Sequence, residues 1–209
     1  MSAREQILSV ARAALGESVI VPQVARDYCV AGATVLGQDE LVELFAERVA
    51  DYGAAIHRSS TGLLQETVSA IADTAGASRL AAPPGLGVTV NGIDLVLDDP
   101  PLAAAALELL DGTLTGAAGA IAETGTVILD GGARSGRRII SLIPDLHICL
   151  VEATTIVAKL PDAIARLAAQ GRHTNPLTFV SGPSATVDIG FERVQGVHGP
   201  RRLHVVIVQ

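Results

Sequence analysis

The sequence predicts an α/β fold: a mainly parallel sheet flanked by helices, with a short antiparallel C-terminal edge. Three observations carry this reading. Short β-branched and aliphatic runs alternate with longer segments whose apolar residues recur at helical spacing. Alternation of that kind builds right-handed βαβ units. Apolar residues make up 49% of the chain but aromatics only 2%, so Ala, Val, Leu and Ile must fill the core. Small aliphatic side chains suit a parallel sheet sandwiched by Ala-rich helices. The 209 residues suffice for one domain with a sizeable core.

Taken in order, Ser2-Ala3-Arg4-Glu5 is a capping box, followed by Ile7, Leu8, Ala11 and Leu15 at helical spacing. Gly16 ends that helix. Residues 17–37 show no period and read as a connecting arm, lying over the body or over a partner subunit. Residues 1–35 are therefore expected to form an N-terminal helix and arm, and residues 36–209 the α/β domain. Asp39 caps the next helix, which turns Leu41, Leu44, Phe45 and Val49 inward and stops at Gly53. Strands are expected at 54–56, 79–82 and 93–97, with a helix from Thr61 to Gly76. A helix follows at 101–110 and another at 116–123, then strands at 126–129 and 146–151, a helix at 161–170 and a strand at 177–180. Segments 193–197 and 203–208, joined by a short turn, are expected to pair antiparallel at one edge.

Composition excludes several function classes. A net charge of −7 argues against nucleic acid or an anionic membrane as partner. The two cysteines, Cys29 and Cys149, are far apart and form no CxxC, so no zinc or iron–sulfur site is encoded. The five histidines lack metal-site spacing, and no metal is expected. Charged residues interrupt positions 1–15, which is unlike a signal peptide, and no apolar run nears the ~20 residues of a membrane span. A soluble cytoplasmic protein is expected. Lys159 is the only lysine, so Schiff-base chemistry would rest on it alone.

Candidate chemistry gathers at three corners. The first is Glu123-Thr124-Gly125-Thr126. A carboxylate closing an Ala/Gly helix opposes the macrodipole, and burial there would raise its pKa toward acid–base use. Thr124, Gly125 and Thr126 would hold a carboxylate or phosphate, and Thr115-Gly116 would open the same helix and let a ligand approach closely. The alternatives are a solvated Glu at a frayed helix end and tight helix-on-sheet packing. The second corner is Ser181-Gly182-Pro183-Ser184. A helical turn from Ala185 would make it an anion site, with Ser184 as cap, Thr186 beside it and Asp188 orienting a hydroxyl or a histidine. Otherwise Ser184 only caps the turn and Asp188 stops it. The third is the Gly196–Arg201 turn, where His198 offers acid–base chemistry near neutral pH and Gly199 and Arg201 line a site. A hydrogen-bonded structural histidine is the other reading of His198, and a satisfied core histidine the other reading of His147. Arg137-Arg138 and Arg201-Arg202 are carboxylate or phosphate clamps or ordinary surface pairs. Gly-x-Ser-x-Gly is absent, which argues against an α/β-hydrolase.

Three ordered stretches also resemble one family: TGAAGAIAETGTVIL (115–129), LIPDLHICLV (142–151) and SGPSATVDI followed by GVHGPRRLHVVIV. Together they resemble the LUD domain, the lactate utilization protein C (LutC/YkgG) family. The resemblance implies a fold similar to the NagB/RpiA/CoA-transferase group. It implies an accessory role in oxidising L-lactate to pyruvate alongside iron–sulfur and cysteine-rich subunits, whose clusters would carry the electrons. On this view the chain has no cofactor of its own and offers a pocket for a small anionic ligand, a carboxylate or nucleotide, or a docking surface; it could also form a homo-oligomer. A stand-alone enzyme of acyl-CoA or sugar-phosphate chemistry using Glu123 is the alternative. A pure interaction module docking through its N-terminal arm is a third reading.

Overall fold

The computed structural model describes residues 2–15, 23–25, 31–32, 34–186, 194–195 and 199–209. The chain opens with α1 (Ala3–Leu15), which buries none of its residues. Its capping box forms as expected: Ser2 N–H donates to Glu5 Oε2 at 2.6 Å, and Glu5 N–H donates to Ser2 Oγ at 3.3 Å. In α2 (Gln38–Asp51), Leu41, Val42, Phe45 and Val49 are buried. Gly37 is the cap rather than Asp39, because Glu40 reaches back to the Gly37 N–H at 2.8 Å. Asp39 sits in the first turn, where the helix dipole favours a carboxylate.

Next come β1 (Ala55–Ser59), a 3-10 turn, α3 (Leu64–Ala75), β2 (Arg79–Ala82) and β3 (Asp94–Leu97). The helix expected over 101–110 shrinks to one turn, α4 (Ala104–Leu107), which buries Leu107. Then follow β4 (Gly112–Gly116), β5 (Gly119–Ile121), β6 (Thr126–Leu129), β7 (Leu146–Glu152), β8 (Ile156–Val157) and α5 (Leu160–Ala169). The described chain closes with β9 (Thr178–Val180), β10 (Ala185–Thr186), β11 (Val194–Gln195) and β12 (Arg202–Val208).

The main sheet has six strands in the order β1-β12-β7-β4-β2-β3, all parallel. Helices cover it as expected. Leu146, Ile148 and Leu150 of β7 pack with Leu64, Val68 and Ile71 of α3. Cys149 and Val151 point the other way, toward Val42, Phe45 and Val49 of α2. A strand buried on both faces reads as a continuous apolar run, and β7 and β12 both do.

Two expectations about topology are corrected. Residues 116–123 are not helical. They form the end of β4, a step, and β5, which turns through Ala122–Gly125 into antiparallel β6. These strands belong to a second, four-stranded sheet, β8-β5-β6-β9. Every residue from Gly112 to Ala122 is buried, so covering layers decide the conformation and weak Ala/Gly propensity does not. Second, β12 does not pair with segment 193–197. It lies inside the main sheet, parallel to β1 and β7, while Val194–Gln195 pairs antiparallel with Ala185–Thr186. An apolar run buried on both faces gains more in a sheet interior than at its edge.

Gly125 shows how closely the second sheet approaches α2. Its φ is +56°, and a Cβ there would lie 2.6 Å from the Arg48 carbonyl carbon and from Val49 N. Gly125→Ala should lower the unfolding free energy by at least about 2 kcal/mol, from left-handed strain plus backbone overlap. A urea melt reads this, and an unchanged midpoint would show that the hairpin turn does not rest on α2.

Candidate functional site

β7 and β12 begin beside a cavity of about 240 Å³. His147 and Leu203 come from those strands, Thr178–Val180 from β9, Ser181–Ala185 from the following corner, and Gly199-Pro200 from the approach to β12. Arg138 and Ser141 come from the 3-10 turn Arg138–Ser141. A second cavity of about 300 Å³ shares Arg138, Ser141 and Thr178 and continues toward Leu129 and Pro176.

His147 is 2% exposed. Its Nε2 lies 2.7 Å from Thr115 Oγ1, and Thr115 Oγ1 lies 3.6 Å from Cys149 Sγ. Burial, with a smaller contribution from the nearby Arg138 charge, pulls the His147 pKa down to about 4. The ring is therefore neutral at physiological pH. Burial pushes the Cys149 thiol up to about 12, so it stays protonated.

Arg138 is the charged side chain among the described residues that line this cavity. Its Nη1 donates to Ser141 Oγ at 3.1 Å, and it forms no ion pair with a carboxylate among the described residues. Partial burial holds its guanidinium below the ordinary value, while leaving it charged. Its neighbour Arg137 faces elsewhere and grips buried Asp98 with bonds of 2.7 and 2.6 Å. The two letters of one basic pair thus have different roles. Ser141 has no sequence signal beyond its i, i+3 spacing from Arg138.

The expected corners are only partly brought together. Thr126 Oγ1 lies 2.7 Å from Thr124 Oγ1 and 2.7 Å from Ser181 Oγ, so the first two corners share a hydroxyl chain. Ser181, Gly182, Ser184, Gly199 and His147 all line the cavity. Glu123 does not. It sits in the β5–β6 turn, exposed, with Lys159 Nζ 3.5 Å from its carboxylate. No helix ends there, so the expected conflict with a macrodipole does not arise. Thr115 caps no helix either; it lies in β4 and holds His147. Gly116 packs on Arg134 and accepts from Ser135 Oγ, away from the cavity.

Ala185–Thr186 is extended rather than helical, which removes the expected helix N-terminus. Ser184 N–H donates to Pro200 O at 2.8 Å instead. Gly182 has φ +84° and leaves no space beside Tyr52. Arg201 is committed to Asp145 through a 2.5 Å bond. Asp188 and His198 lie outside the described residues, and of Thr186 only the backbone pairing is described. Among the described residues, no three His, Cys, Asp or Glu side chains come together as a metal site, and no helix is long and apolar enough to cross a membrane.

A family model described as the LUD domain matches residues 103–208. A Deinococcus radiodurans protein named Lactate utilization protein C is 47% identical over 177 residues, covering 83% of this chain and 82% of that one. The chain belongs to the LUD domain family. A Shouchella clausii protein of the same name is 37% identical over 91 residues, covering 42% of this chain and 39% of its own length. The crystal structure of a DUF162 family protein from Deinococcus radiodurans matches this fold with a TM-score of 0.70 at 38% identity, covering 84% of this chain and 100% of that one. The LUD match spans β4 to β12 and so takes in Thr115, Arg138, Ser141 and His147.

Two outcomes follow from these electrostatics. The lowered His147 pKa stabilises the fold above the unfolded value of about 6.5, and that stability is lost as pH falls through about 4. The loss attributable to this ring is about 3 kcal/mol. His57 and His204, stacked on β1 and β12 with Nε2 and Nδ1 3.0 Å apart, are also lowered by burial and act in the same direction. Urea melts from pH 7.5 to 4 should show a shallower decline in His147→Gln than in the unsubstituted protein. Glu123→Gln removes only an exposed ion pair and should change stability by less than about 0.5 kcal/mol, read by the same melts.

Proposed function

We propose that this LUD protein serves lactate utilization by binding a small carboxylate in the cavity beside Arg138, in company with iron–sulfur and cysteine-rich subunits that carry the electrons. The observation that bears most weight is Arg138 itself. A desolvated guanidinium that lines a cavity and has no carboxylate partner among the described residues is matched to an anionic ligand. Ser141 holds it by the one side-chain bond it makes. The cavity, about 240 Å³, is large enough for a small acid. The setting in lactate metabolism is supported by the name of the relative that is 47% identical. The Glu123 reading has no comparable support, because that carboxylate faces Lys159 outside the cavity.

Extract of the source organism lacking this chain should lose L-lactate-dependent dye reduction and regain it when the purified protein is added back. Arg138→Gln should restore less than about a tenth of the signal, the loss expected for one charge-assisted, bidentate contact. Full activity without the chain, or full rescue by Arg138→Gln, would remove the reading.

A further inference from the structure

Two apolar surfaces of this chain lie uncovered at once. The first is α1, which buries none of its residues. Ala3, Ile7, Val10, Ala11 and Ala14 line one side of it, and Ile7 and Val10 are 69% and 66% exposed. A 13-residue helix is marginal in water by itself, and helices of that length are held by packing of an apolar face. The second is the edge of the main sheet at β3, which pairs with β2 alone among the described strands. A groove of about 460 Å³ opens beside it, with Pro83, Pro84, Leu86, Val88, Leu95 and Leu97 in its walls. Leu97 is 49% exposed. A bare apolar edge invites another chain, and a helix laid over it is one of the ways proteins cover it.

Charge and length match the two surfaces. Arg4 lies in the first turn of α1 and Arg12 in the last, about 12 Å apart along the axis. Neither forms an ion pair among the described residues, while Glu5 is engaged by the Ser2 N–H. Asp94 opens β3, and exposed Asp99 follows two residues after its end. These carboxylates are at most about 17 Å apart in extended chain, a span the two guanidinium groups can bridge. Asp99 has no ion-pair partner among the described residues, and Asp94 shares only exposed Arg79 at 3.3 Å. The helix is basic at both ends where the edge is acidic at both ends.

We propose that α1 of one molecule seats in the β3 groove of a second copy, whose own α1 seats in the first, so that the protein forms a reciprocal dimer. No residue of α1 lines the groove of its own molecule, which leaves both surfaces free for another copy. A one-way seat would leave one helix and one groove open and build a chain of molecules, whereas exchange closes after two.

Sedimentation velocity of the full chain at rising concentration should show monomers passing into dimers. Val10→Glu alters a helix that packs on nothing in its own molecule, and Leu97→Asp a half-exposed edge residue; urea melts check that each stays folded. Each should move the dimer midpoint to at least about tenfold higher concentration, the loss expected for one buried aliphatic side chain. A chain carrying Cys29→Ser, Val10→Cys and Leu97→Cys, with Cys149 buried away from reagent, should give a covalent dimer with a short bismaleimide linker. Monomers at every concentration, dimers unchanged by either substitution, or a gel without covalent dimer would overturn the proposal. A link closed within one chain would overturn it too and assign the groove to the molecule's own α1.

Discussion

The molecule depends on one strand being enclosed on every side. β7 is paired along both edges, by β4 and β12, and covered on both faces. In that position a polar side chain needs a partner inside the protein, because little of it meets water. From Leu146 to Val151 the only such residue is His147, and Thr115 on the neighbouring strand is what answers it. The requirement that satisfies the sheet also fixes the imidazole in one orientation. The cavity floor is thus set by the core, not by a loop.

Around that floor the other polar groups divide between structure and ligand. The hairpin corner is structural. Gly125 lets it press against α2, Lys159 meets Glu123 at the start of α5, and the Thr124–Thr126–Ser181 hydroxyls join β6 to the end of β9. Asp145 holds Arg201, fixing the approach to β12. Buried Asp130 pairs with Arg172 and accepts from the Gly132 N–H, tying the end of β6 to the chain beyond α5. With those groups engaged, Arg138 is, among the described residues, the charged one that lines the cavity without a carboxylate partner.

Much of the fold could be read from the residues. β2, β3, β6, β7, β9, α1 and α5 lie close to where period and punctuation put them, because long apolar stripes and Gly or Pro stops speak through local geometry. The Gly112–Ile121 region could not be read this way. Its small residues fit a helix or a strand, and only the covering layers choose between them. The site was legible in the same uneven way. Of the residues that turn chemistry and apolar flanks single out, His147, Ser181, Gly182 and Ser184 line the cavity. Arg138 could not be told from Arg137 by sequence, since only the 3-10 turn sends one guanidinium to Asp98 and the other to the cavity. Glu123 drew attention through a helix end that does not exist.

The position of β12 bears on how the chain assembles during synthesis. His57 of β1 meets His204 of β12 across 147 positions of sequence, and among the described strands β12 is the one neighbour of β1 in the sheet. Until that late strand leaves the ribosome, β1 has nothing to pair with and one edge of β7 stays bare. Local elements such as the β5–β6 hairpin can form early, but closure of the central layer must await β12. Non-local strand pairing of this kind slows folding and exposes sticky edges meanwhile. The nascent protein is therefore most open to wrong partners just before β12 arrives.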